Sequence, residues 1–270
     1  MIGQDRLLNR IHTFTYNTFP QASMFVGEYG CGKHTIVNDI SLMLDMPIKD
    51  ITLDISNNLL MDSYISGIPT IYLIDIIKAG SSKKLIPLQN SILKFLEEPP
   101  QYAKIILLCE NTAQILPTIL NRCQVFTFEK YTPSELQAFA KQYNIDLDEK
   151  DTLVYNTPGK IQFLIDTKFD IHSMSTLVNN IIDNIHRANP ANVLTIINKF
   201  DLSNDGFMLD IFIHQMKLEL AHRLITTDNF MQLKEYYSLT LEFSKGLSLL
   251  GINKQSLFEN YLLRLKLVTE

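Results

Sequence analysis

Cysteine is scarce in this 270-residue chain, with only Cys31, Cys109 and Cys123. Their odd number and the absence of any C-x-x-C pair exclude a disulfide framework and a cysteine-rich zinc site, and reduced thiols fit a cytoplasmic protein. Long apolar runs are missing too. No stretch approaches the roughly 18 residues needed to span a bilayer. The opening MIGQDRLLNRIHTF also lacks the continuous apolar core of a signal peptide, so no membrane is expected. Basic charge is not in excess, since the formal net charge is -5. That excludes a protein whose whole surface draws in nucleic acid, and any DNA contact must be local. No repeat or low-complexity tract is present. With hydrophobic residues at 46% and charged residues at 20%, the composition is that of a folded globular chain. Its length allows one large domain or two to three small ones.

From residue 22 to about 128, β-rich apolar runs alternate with helical patterns, as in a mostly parallel sheet flanked by helices. Strands are expected at ASMFVG (22–27), IKDITLDI (48–55), TIYLID (70–75), KIILLCE (104–110) and QVFTF (124–128). Helices are expected at HTIVNDISLML (34–44) and PLQNSILKFLEE (87–98), the second with Leu88, Ile92, Phe95 and Leu96 on one face and Pro99-Pro100 as its stop. After Lys130 the β signal ends. Thr132-Pro133-Ser134-Glu135 reads as a capping box with proline at the first helical position, which places a domain boundary there. Short helices follow from Asp148 to about Tyr155 and from Pro158 to about Asp166. Residues 170–270 read as helical throughout, with turns at Asn189-Pro190 and at Ser203-Asn204-Asp205-Gly206.

Gly27-Glu28-Tyr29-Gly30-Cys31-Gly32-Lys33 lies between a strand and a helix and meets the first seven positions of the phosphate-loop pattern G-x-x-x-x-G-K-S/T. Glycines let the backbone curl so that its N–H groups face phosphate oxygens, the helix N-terminus adds a favourable dipole, and Lys33 supplies a point charge. The eighth position is His34, where the pattern has a hydroxyl for magnesium. Magnesium prefers oxygen, so imidazole is a poor substitute. Thr35 is rotated about 100° around the helix from that position. Asp75, at the end of TIYLID, is the candidate carboxylate for a magnesium shell. Ile76 follows it, and isoleucine can neither accept a proton nor orient water. The residues therefore read as a nucleotide-binding loop with impaired hydrolysis.

Two further stretches carry a resemblance: Asn90-Ser91-Ile92-Leu93-Lys94-Phe95-Leu96-Glu97-Glu98-Pro99-Pro100, and Leu116-Pro117-Thr118-Ile119-Leu120-Asn121-Arg122-Cys123-Gln124. They resemble the N-x-L-L-K-x-L-E-E-P-P and L-P-T-I-L-S-R-C-Q signatures of the bacterial DNA polymerase III clamp-loader AAA+ family, delta-prime type, with Asn121 in place of the usual serine. Ile2-Gly3-Gln4 and Phe19-Pro20-Gln21-Ala22 are similar to that family's opening segments. The resemblance is specific over residues 1 to about 130, weaker to 168 and architectural beyond.

It implies an α/β fold with an AAA+ P-loop parallel sheet flanked by helices (1–130), a small helical lid (131–168) and an all-α C-terminal collar for oligomerisation (169–270). Arg122 is implied as an arginine finger acting in trans on a neighbour's nucleotide. Nucleotide contacts are implied for Gly27, Gly30, Gly32, Lys33, Thr35, Asp75, a polar sensor at Asn111 and a basic sensor at Lys160. An active member follows the strand-end aspartate with glutamate, where this chain has Ile76. ATP is the implied ligand, with the magnesium site in question. The zinc module of many members has no counterpart, because no cysteine lies between Cys31 and Cys109. Implied partners are other clamp-loader subunits in a heteropentameric ring, the sliding clamp and primer-template DNA reached through that ring. Lys78, Lys83 and Lys84 beside Ser81 and Ser82 read as a small basic loop, more in keeping with a solvated loop than with a DNA surface. The leading reading is a non-hydrolysing stator. An ATP-hydrolysing motor subunit would need Ser or Thr at 34 and Glu at 76. A different AAA+ replication factor, such as a helicase loader, fits the L-E-E-P-P and N-R-C segments less well.

Overall fold

The computed structural model describes residues 3–51, 67–76, 82–168, 170–189, 206–226, 230–247 and 253–268. The chain divides into two compact units, Met1–Lys130 and Tyr131–Glu270.

The first unit is built on a parallel sheet. Its strands are β1 (Ala22–Val26), β2 (Ile48–Asp50), β3 (Thr70–Asp75), β4 (Ala103–Cys109) and β5 (Gln124–Thr127), in the order β2-β3-β4-β1-β5. Every residue of β1 and β4 is buried, which is why both read as apolar runs broken only by Ser23 and Lys104: a parallel strand in the middle of a sheet is covered on both faces. Among the described residues, the unit also has helices α1 (Asp5–His12), α2 (Lys33–Leu44), α3 (Ser82–Glu97) and the single turn α4 (Pro117–Leu120). One core cluster joins Met24, Tyr72, Ile74, Ile105 and Leu107 to Ile92, Phe95 and Ile119. Elsewhere Phe25 stacks on Phe126 with ring centroids 5.1 Å apart.

Two expectations change here. The strand expected over 48–55 is regular over Ile48–Asp50, with Ile51 still donating to the Leu73 carbonyl at 2.8 Å; residues 52–55 lie outside the described residues. Helix α3 begins at Ser82 rather than Pro87. A proline at the sixth position removes only one intrahelical donor, so it does not have to mark the start. Ser82, Lys83 and Lys84 thus belong to the first turn of a helix and not to a loop, while Lys78 and Ser81 lie outside the described residues.

The second unit is helical: α5 (Pro133–Lys141), α6 (Glu149–Val154), α7 (Pro158–Thr167), α8 (Ile171–Asn184), α9 (Gly206–Thr226), α10 (Phe230–Leu247) and α11 (Lys254–Leu267). The capping box at Thr132 is formed in both directions: the Glu135 N–H donates to Thr132 Oγ1 at 3.3 Å and the Thr132 N–H to Glu135 Oε2 at 2.7 Å. A second box closes Asp148 on Asp151. One hydrophobic core runs from Leu136, Ile161 and Leu164 through Val178, Phe212 and Met216 to Tyr236, Phe258 and Leu262. Residues 133–167 therefore share their core with the helices that follow. Pro190 and residues 203–205 of the expected turns lie outside the described residues.

Candidate functional site

Parallel pairing brings the candidate residues of the first unit to one end of the sheet. Val26 stands opposite Cys109, and Asp75 opposite Leu108. The loop after β1, the carboxylate ending β3 and Asn111 beyond β4 therefore all emerge at the carboxyl ends of adjacent strands, where ligands of open α/β sheets bind.

The loop needs its glycines. Gly30 and Gly32 have φ of 80° and 100°, which other L-residues avoid. A Cβ on Gly27 would lie 2.6 Å from Cys31 Sγ and 2.8 Å from Phe128 Cβ. Gly32 caps α2 without a side-chain hydrogen bond, so the first turn presents a backbone cradle of the kind that suits phosphate. Lys33 is only 4% exposed. Its Nζ donates to the Gly27 and Glu28 carbonyls at 2.6 and 2.8 Å and lies 3.8 Å from Cys31 Sγ. The lysine thus staples the loop through neutral groups and keeps its net positive charge within it. Burial pushes the Cys31 thiol up against the opposing pull of Lys33, so Cys31 packs as a thiol rather than acting as a nucleophile.

At the magnesium position the geometry is different from that of a hydroxyl site. His34 Nε2 lies 3.2 Å from Asp75 Oδ2, and the Asp75 side chain is 8% exposed. The imidazole nitrogen and the carboxylate oxygen are thus in direct contact. Thr35, the next residue of α2, is exposed. Ile76 is buried in the core cluster, and its N–H donates to the Leu108 carbonyl at 3.0 Å. A phosphate fits the backbone cradle and Lys33. Magnesium does not fit the donor set, because the ion requires oxygens in near-octahedral array and His34 places an imidazole nitrogen, not an oxygen, against the carboxylate. Among the described residues, no cluster of three or more His, Cys, Asp or Glu side chains is placed to hold a metal ion.

The other candidates each have a partner of their own. Asn111 is exposed, and its Oδ1 accepts from the Ala113 N–H at 2.9 Å, capping a 3₁₀ turn. Arg122 follows α4 with its side chain 37% exposed. It donates through Nη2 to Glu97 Oε1 at 2.9 Å and through Nη1 to the Thr118 carbonyl at 2.8 Å. The two signature stretches thus meet in a single ion pair. Lys160, in the second unit, is wholly buried. Its Nζ lies 2.5 Å from Asp210 Oδ2 of α9 and donates to Asn156 Oδ1 at 2.6 Å.

Sequence reasoning missed three of these partners: His34 as the group facing Asp75, Glu97 as the anchor of Arg122, and Asp210 as the counter-ion of Lys160. The only advance signal was at Glu97, which sits inside a recognised signature without a role assigned to it.

Comparisons with known proteins bear on the fold and on the family. Residues 48–132 match the family model described as DNA polymerase III, delta subunit. The chain is 26% identical over 157 residues to the DNA polymerase III subunit tau/gamma of Haemophilus influenzae, covering 57% of this chain and 21% of that protein. It is 40% identical over 48 residues to the DNA polymerase III subunit delta' of Bacillus subtilis, covering 18% of this chain and 15% of that protein. The matched stretches span about a fifth or less of these relatives' own lengths. Among solved structures, a variant of RuvB from Thermotoga maritima superimposes with a TM-score of 0.53 at 14% identity, covering 97% of this chain and 88% of that one. No described helix is long and apolar enough to cross a membrane. The fold is that of an AAA+ α/β protein with a helical C-terminal region, and the sequence similarity supports the AAA+ family of DNA polymerase III clamp-loader subunits.

Proposed function

We propose that the chain is a clamp-loader subunit of the delta-prime type, a stator that binds ATP without turning it over and lends Arg122 to the nucleotide site of a neighbouring ATPase subunit. The observation that carries this reading is the pairing of His34 with Asp75 beside a buried Ile76. Hydrolysis needs a metal to neutralise the phosphates and a group to orient the attacking water. The positions for both hold side chains unsuited to either task. Arg122 keeps the chemistry that a finger requires: a guanidinium near the surface, oriented by Glu97 and the Thr118 carbonyl, which can stabilise charge building on a transferred phosphoryl group. Such a group in trans is worth roughly 10³ to 10⁵ in turnover.

In this reading Gly27, Gly30, Gly32 and Lys33 hold the phosphates. Residues 131–168 act as the lid and 169–270 as the collar that joins the other loader subunits in a ring. The sliding clamp and primer-template DNA are then engaged through the assembly. The test is reconstitution with the other loader subunits of the same source. The isolated chain should show no measurable ATPase, and Arg122→Ala should strongly reduce clamp- and DNA-stimulated ATPase while the ring still assembles. Vigorous turnover by the chain alone, abolished by Lys33→Ala, would overturn the stator.

A further inference from the structure

We propose that this loop takes its nucleoside triphosphate free of magnesium, with the His34 imidazole standing where the ion would otherwise bridge the phosphates to Asp75. The proposal rests on the nucleotide-binding reading above and concerns the ionic form of the ligand.

It starts from the pair of residues that face each other. In a metal-dependent loop the residue after the lysine contributes a hydroxyl oxygen, and the strand-end carboxylate completes the shell from the other side. Here those two positions touch: His34 Nε2 is 3.2 Å from Asp75 Oδ2. Magnesium binds oxygens at about 2.0–2.1 Å and keeps several waters, so it needs open room between them. An imidazole nitrogen in direct contact with the carboxylate takes up that room and crowds one of its oxygens. With its side chain 8% exposed, Asp75 has little surface left on which to gather a hydrated ion. Thr35, the hydroxyl one position further along α2, is exposed.

The charge that magnesium would bring is partly replaced by what remains. Lys33 holds a full positive charge against neutral carbonyls, which a phosphate oxygen can displace or share. The 12-residue α2 starts at the same point without a side-chain cap and adds its dipole and backbone donors. The uncomplexed polyphosphate carries more negative charge than its magnesium complex, so it is the form these groups attract more strongly.

The test is equilibrium binding of a fluorescent ATP analogue to the full chain, in EDTA and in excess magnesium, with thermal unfolding as the control for folding. The expected result is an affinity in EDTA equal to or tighter than that in magnesium. Binding at least tenfold tighter in magnesium would overturn the proposal while leaving nucleotide binding intact. Binding in neither condition by a folded chain would overturn the nucleotide-binding reading itself, and this proposal with it. His34→Ser restores the hydroxyl and frees Asp75; because His34 is half-exposed, the change should not impair folding. That variant should acquire a magnesium preference of at least tenfold, and indifference to magnesium in His34→Ser would remove His34 from the explanation.

Discussion

Lys33 in the first unit and Lys160 in the second are both enclosed, at 4% and 0% exposure, yet they are held by groups of opposite kinds. Lys33 is bound by carbonyls of its own loop, neutral dipoles that leave its charge uncancelled. Lys160 is bound by the Asp210 carboxylate from a helix fifty residues further along the chain, with Asn156 as a second acceptor. Burial alone therefore does not mark a lysine as ligand-binding. The charge of its partner decides, because only a cation that lacks a counter-ion has electrostatic work left to do on an anion. In the proposed reading Lys33 is the lysine that would face a ligand, whereas Lys160 ties α7 to α9.

The largest effect should come from removing the counter-ion. Asp210→Ala leaves a buried ammonium without its carboxylate, a change that costs about 3–5 kcal/mol for enclosed pairs. Since the Asp210 side chain is itself 37% exposed, the lower end, about 3 kcal/mol, is expected in urea unfolding of the second unit. Adding Lys160→Met to Asp210→Ala should recover most of that loss, because the unpaired charge goes with it. If Asp210→Ala costs less than about 1 kcal/mol, water reaches Lys160 and the contrast between the two lysines collapses.

Lys33→Met should reverse the balance between stability and binding. Losing its bonds to carbonyls costs stability only about 1 kcal/mol, since the variant no longer has a charge to desolvate on folding. Nucleotide affinity should fall about tenfold to a hundredfold, the worth of one charge-assisted hydrogen bond, as read by titration with the fluorescent ATP analogue. Lys160→Met should leave that affinity within about twofold. A tenfold loss there would return Lys160 to the sensing role that the family resemblance implies for it.

The same contrast explains what could be read in advance. The strands were legible because burial on both faces turns a parallel strand into an apolar run, as at residues 71–74 and 105–108. The phosphate loop and the Thr132 box were legible because each is a contiguous pattern of residues. What escaped was pairing at a distance. His34 meets Asp75 41 residues away, Glu97 meets Arg122 25 residues away and Lys160 meets Asp210 50 residues away, and no local spacing encodes any of them. Pro87 misled for a related reason: a proline limits which hydrogen bonds a helix makes, but the length of the helix depends on what the whole segment packs against.

The smallest effect is a pH dependence at His214, which lies on α9 beside the Lys160 pair. Its Nδ1 is 2.8 Å from the Asp210 carbonyl, and its Nε2 is 3.4 Å from Asn156 Nδ2. Nδ1 therefore donates, leaving Nε2 to accept from an amide whose oxygen already serves Lys160. Protonating Nε2 would set one donor against another. Burial first, then the Lys160 charge, and to a lesser degree Lys217, hold the imidazole below its ordinary value, against the opposing pull of Asp210. In the unfolded chain the same ring takes its proton near pH 6.5. The unfolded state then binds the proton before the folded state does. The contribution to stability is complete above about pH 6.5 and is lost as pH falls from there through the depressed folded value. Urea midpoints measured between pH 7.5 and 5 should decline, and His214→Gln, which keeps a donor and an acceptor but cannot titrate, should flatten that part of the decline. An unchanged slope in His214→Gln would mean that protonated His214 is accommodated, and that the cation beside it is more open to solvent than its enclosure implies.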